Sequence, residues 1–202
     1  MNFRLDIQKA IEASATLLRL VHPRKMDRKR LLALLYLADR KSLELTGRPI
    51  VGGKLVALDW GPVCSEVYDL IKGKGRDLAK WSSHFDNDAY RVVLTDEPEV
   101  RVLSGREVNI LNEISERWIG YGTWDVARAT HTPEYEKMYQ QGTSTPIPIE
   151  ESIQGVGRGN EKATILQDLE EKSNFDSLFS KERAEAIRFT NALKQKRSSK
   201  PR

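Results

Sequence analysis

A histidine between two carboxylates, Asp125, His131 and Glu134, is the nearest thing in this sequence to an acid–base group. General acid–base work needs a defined geometry around the reacting atom. No serine, cysteine or metal-ligand cluster of recognisable spacing accompanies the three residues. A structural histidine at a helix end is the favoured reading of His131. Cys64 follows Gly61-Pro62-Val63 near an expected helix start, where a thiol pKa can fall. A small buried apolar residue is the simpler account of it. Gly52-Gly53-Lys54 and Gly73-Lys74-Gly75 resemble pieces of phosphate loops but lack the glycine–lysine–hydroxyl spacing. Arg24-Lys25 and Arg28-Lys29-Arg30 could meet phosphates, though only backbone-type affinity follows from them. The expectation is a non-enzyme without catalytic residues, metal or cofactor, with nucleic-acid contact as a minor alternative.

Composition narrows the class further. With 202 residues the chain can bury a core without staples, and its single cysteine excludes an internal disulfide and fits a reducing compartment. No apolar run is long enough to span a membrane. The first residues, MNFRLDIQKAIEAS, carry acids and do not read as a secretory signal. A cytoplasmic location is expected. The net charge of +4 hides a division: residues 1–48 carry +6, 81–160 carry −6, and 161–202 carry +3. Such polarity can steer a charged partner.

The elements that must position these residues are mostly helical. Ile7, Ala10, Ile11, Leu18 and Val21 recur at helical spacing over 5–21, with Gln8, Lys9, Glu12 and Arg19 on the other face. Asp27 is an expected N-cap for a second helix, which Gly47 and Pro49 close. A strand is expected near 54–58, and Pro62 reads as the first turn of a helix through Ile71. Residues 81–85 and 90–94 flank Asp86-Asn87-Asp88 as a hairpin, expected to pair with strand 54–58. Ser104-x-x-Glu107 is a capping box opening a helix with Val108, Leu111, Ile114 and Trp118. Thr123 is expected to cap one short helix and Thr132-Pro133 to start another. Residues 141–160 read as an ordered loop passing into a linker. Residues 161–195 read as helical and the basic tail from Lys194 as disordered. The fold class expected is mainly α (α+β), a helical domain with a small antiparallel sheet of two or three strands.

The stretch LYLADRKSLELTGRPIVGGKLVALDWGPVCSEVYDLIKG, residues 35–73, is the most informative. Its Leu34-Leu35-Tyr36-Leu37-Ala38-Asp39-Arg40, Gly47-Arg48-Pro49-Ile50, Val56-Ala57-Leu58, Gly61-Pro62-Val63 and Ser65-Glu66-Val67-Tyr68-Asp69-Leu70 follow one another in a family-like order. Leu103-Ser104 and His131-Thr132-Pro133-Glu134-Tyr135 add to the match. The chain resembles the Panacea antitoxin domain, known also from SocA-like antitoxins and from prophage-associated proteins of the GepA type. The resemblance covers about residues 28–150. It divides the chain into an N-terminal helix packed on the core (1–27), a Panacea-like domain (28–150), and a linker with a helical extension and tail (151–202).

The resemblance implies an antitoxin that neutralises a co-encoded toxin by protein–protein contact. The toxin itself is not specified, because relatives are paired with toxins of unrelated types. Two other readings stand beside it: a DNA-binding autorepressor, and an adaptor presenting a partner to a protease. The family-motif residues are Tyr36, Asp39, Arg40, Arg48, Pro49, Trp60, Gly61, Pro62, Glu66, Tyr68 and His131. Tyr36 shares a helix face with Asp39 and Arg40. Pairing of Asp39 or Glu66 with Arg40 or Arg48 would brace helix, sheet and turn, and this structural role is favoured over partner contact. In the extension, Leu178, Phe179, Ile187 and Leu193 are expected anchors for the toxin, at spacing that only roughly suits a helix laid in a groove.

Overall fold

Helix α1 (Ile7–Arg19) is buried on every side from Ala10 to Leu18 in the computed structural model, which describes residues 3–171. Its alanines at 10, 13 and 15 let neighbouring helices approach closely. The expected polar face is therefore corrected: Glu12 is fully buried, and Lys9 pairs with Glu107 at 2.5 Å. The chain divides into two units, Met1–Lys162 and Ala163–Arg202.

The first unit is organised around α2 (Arg28–Thr46). Asp27 accepts from the amide N–H groups of Lys29 and Arg30, and Gly47, at φ +76°, returns its N–H to Leu43. Both ends are thus closed by the residues whose local chemistry suits those positions. Between them Leu31, Leu32, Leu34 and Leu35 enter the main core with α1, α5 (Gly105–Trp118) and α6 (Thr123–Ala129). The Ser104–Glu107 capping box forms in both directions at the start of α5. At α6 the cap is Gly122, whose N–H meets the Asp125 carboxylate, and Thr123 is the first helical residue.

The unit is mainly α with small antiparallel sheets, as expected, but the strand pairing differs. Strand β2 (Leu55–Leu58) pairs with β3 (Gly61–Cys64) on one side and with β6 (Thr145–Pro146) on the other. Pro62 stands opposite Ala57 in β3 rather than in a helix, and α3 begins at Ser65 and runs to Ile71. An edge strand tolerates a proline because its missing N–H need not join a ladder. The expected hairpin is β4 (Phe85–Asp88) with β5 (Arg91–Leu94), and β5 pairs with β1 (Lys25–Asp27) instead of with residues 54–58. Trp81 lies in helix α4 (Leu78–Ser82), its ring 4.3 Å from that of Phe85.

Residues 141–160 are more structured than a loop passing into a linker. They hold β6 and α8 (Ile149–Gly155), and Ile147, Ile149 and Ile153 are buried. Helix α7 (Pro133–Met138) starts at proline, as expected. In the second unit the described residues, 163–171, are helical. The expected anchors Leu178, Phe179, Ile187 and Leu193, and the tail, lie outside the described residues. Among the described residues no helix is long and apolar enough to cross a membrane.

Candidate functional site

Tyr36, Asp39 and Arg40 lie on adjoining turns of α2 and reach different loops. The Asp39 carboxylate accepts three main-chain N–H groups: Oδ1 from Ile50 at 3.0 Å and Val51 at 2.8 Å, Oδ2 from Gly52 at 2.9 Å. A single side chain thereby gathers the loop after α2, beside Pro49. Burial pushes the Asp39 carboxyl up to about 7, against the three donors, which favour its charged form.

Arg40 does not pair with Asp39 or Glu66. Its Nε donates to Glu134 Oε1 at 2.8 Å and its Nη2 to the Gly155 carbonyl at 2.6 Å. The Tyr36 hydroxyl donates to the same Glu134 Oε1 at 2.8 Å and lies 2.6 Å from Thr132 Oγ1. Glu134 has only 1% of its side chain exposed. Burial, and then the Glu134 charge, raise the Tyr36 phenol far above its ordinary range. Burial works against the Arg40 charge, but the bond to Glu134 outweighs it and holds the guanidinium protonated.

Glu134 Oε2 and Ser152 Oγ are buried without a hydrogen-bond partner. Their residues line a cavity of about 30 Å³ with Tyr36, Asp39 and Arg40, large enough for about one or two water molecules. Gly155 lies against the Glu134 carboxylate. A Cβ there would fall inside the contact radius of Glu134 Oε2, so α8 can approach Glu134 only with glycine at that position.

The other motif residues brace their own neighbourhoods. Glu66 accepts from the Lys54 amide at 2.8 Å and the Ser65 hydroxyl at 3.1 Å, holding the β2 end to the α3 start. Cys64 is buried beside it, and burial pushes its thiol up rather than down, the reverse of an activated nucleophile. Trp60 meets Tyr68 edge to face at 6.0 Å. Gly61, at φ +131°, abuts Thr130, and Pro62 follows it in β3. Arg48 is exposed just after α2 and returns its N–H to Thr46 Oγ1 at 3.3 Å.

The acid–base trio is not assembled. Asp125 pairs with Arg128, Glu134 with Arg40, and His131 is exposed and stacked on Tyr135 at 4.7 Å. Among the described residues no group of three or more histidine, cysteine, aspartate or glutamate side chains could hold a metal ion.

The family model described as antitoxin SocA-like, Panacea domain, matches residues 31–136. The chain belongs to the SocA-like Panacea antitoxin family. A search of curated proteins and a search of solved structures return no match. The matched Panacea span holds Tyr36, Asp39, Arg40 and Glu134, while the Gly155 carbonyl that takes the second Arg40 bond lies beyond it.

The partners of two buried carboxylates were not legible in the sequence. Glu134 resembled a member of the acid–base trio, and its partner lies 94 residues away. Glu12, placed on a solvent face by periodicity, accepts from the amides of Val102 at 3.1 Å and Leu103 at 3.0 Å. The one available signal for Glu12 was its position amid small and apolar residues on both sides.

Proposed function

We propose that this chain is the antitoxin of a toxin–antitoxin pair. It acts in the cytoplasm, neutralises a co-encoded toxin by direct protein–protein binding, and catalyses no reaction. The match to the antitoxin family over residues 31–136 carries this reading. It is supported by the engagement of Asp39, Glu66, Arg40 and one carboxylate oxygen of Glu134 in bonds that hold the fold together.

The test is expression of the protein encoded next to this one, alone and together with this chain. The neighbour alone should arrest growth. Co-expression should relieve the arrest, and the two should copurify. Relief without a complex would point to repression of the operon, and relief that requires an intact cellular protease would point to an adaptor. A neighbour harmless on its own would remove the assignment.

A further inference from the structure

The first turn of α2 carries three successive cations, and each is held against an aromatic segment. The Arg28 guanidinium lies 5.1 Å from the centre of the Tyr90 ring, at the β4–β5 turn. Lys29 Nζ stands 4.3 Å from the centre of the Trp124 ring and 5.9 Å from that of Trp60. Arg30 donates to the carbonyls of Trp118, at 2.7 Å, and Tyr121. A hairpin turn, the end of α5 and the start of α6 therefore converge on one basic turn.

Three of the aromatic residues around this turn are turned to solvent. Tyr90 is 68%, Trp124 60% and Tyr121 54% exposed. Exposed tyrosine and tryptophan are residue types enriched at interaction surfaces. Among the described residues none of the three cations pairs with a carboxylate. Elsewhere cations such as Lys9, Arg40, Arg128 and Lys137 do. Cation–π contact positions a charge without neutralising it.

We infer that this basic–aromatic face, centred on Lys29 and Trp124, is where the toxin docks, through a carboxylate-rich patch of its own. The inference rests on the antitoxin reading above. Charge complementarity selects the occupant: the face offers fixed positive side chains that pair with no carboxylate among the described residues, framed by tryptophan and tyrosine, the residue types that dominate binding energy at protein interfaces. Its side chains are already held in place, which lowers the ordering cost of association. A single-stranded nucleic acid fits less well. The Lys29 ammonium covers a Trp124 face on which a base would stack, and the Arg30 donors are engaged by carbonyls.

The experiment titrates the full chain, and its Trp124→Ser, Tyr121→Ser and Lys29→Glu variants, with the purified neighbour-encoded protein. Melting temperatures are recorded in parallel. Trp124→Ser and Lys29→Glu should each weaken binding by about thirty-fold or more, and added salt should weaken the wild-type complex. Trp124 and Tyr121 are exposed, so their variants keep the test decisive if Lys29→Glu fails to fold. A wild-type complex that all folded variants reproduce within about two-fold overturns the docking face alone. A wild-type chain that forms no complex overturns the antitoxin reading and this face together. Unchanged partner binding with lost binding of a single-stranded oligonucleotide assigns the face to nucleic acid and overturns the proposal.

Discussion

Arg40 and Glu134 meet at 2.8 Å across 94 residues of sequence, and the same carboxylate oxygen takes the Tyr36 hydroxyl. One buried oxygen therefore joins two turns of α2 to the start of α7. Its geometry explains why Tyr36 and Arg40 must be four residues apart: that spacing puts both on one helix face.

Removing either charge of this pair strands the other. Arg40→Ala leaves Glu134 buried and uncompensated, and it should lower stability by about 3–5 kcal/mol. A double variant, Arg40→Met with Glu134→Met, should lose less than the two single changes summed. Chemical denaturation of all four proteins measures the coupling. Additive losses would show that the pair contributes no mutual energy.

Asp39 supplies a pH dependence of definite sign. Its folded carboxyl is pushed up to about 7 by burial, from an ordinary 3.8. The folded state thus holds the proton more tightly than the unfolded chain. This contribution is complete below about pH 4 and is lost as pH rises through 7, by up to about 4 kcal/mol. Glu12 runs the other way. Although burial opposes it, the amides around Leu103 hold its carboxyl below 4.5, so its contribution is lost as pH falls beneath that value. Asp39→Asn should flatten the stability profile between pH 4 and 7 and leave the acid limb in place. An unchanged slope in that window would show that Asp39 does not titrate there.

Glu12→Ala should cost about 3 kcal/mol, because it leaves the buried Leu103 amide N–H and the part-buried Val102 amide N–H without an acceptor and opens space in α1. Hydrogen exchange at Val102 and Leu103 should accelerate more than exchange within α2. Equal acceleration everywhere would mean that Glu12 acts only on global stability.

Gly155→Ala tests the approach of α8 to Glu134. The added Cβ meets Glu134 Oε2, so either α8 or the carboxylate must shift, at about 1–3 kcal/mol. The drop in melting temperature should be smaller in a Glu134→Ala background, where the obstructing carboxylate is gone. An equal drop in both backgrounds would place the strain elsewhere.

What could be read from the sequence was chemistry that acts within a turn or two. Asp27 and Gly47 bound α2, and Ser104 with Glu107 opens α5, because caps depend on neighbours three or four residues away. The family motif located the residues of the polar network without giving their partners. Glu12 was placed on the polar face and Glu134 was given no partner, because a buried carboxylate is defined by donors 90 or more residues distant. Strand β1 has one buried residue, Met26, between two polar neighbours, too short for any alternation to register. Pro62 looked like a helix start because proline suits both a first turn and an edge strand. The basic run 28–30 offered phosphate contact only as a minor alternative, and the aromatic segments that hold it come from three distant stretches of sequence.

The two bonds of Arg40 end on opposite sides of the family boundary at residue 136. This bears on modularity. Residues 31–136 moved by recombination into another protein would arrive without the carbonyl of Gly155 and without the Glu12 carboxylate that fastens the approach to α5. The unit able to travel intact is therefore wider than the recognisable stretch, and a host lacking equivalents of α1 and α8 would receive the signature but not the scaffold.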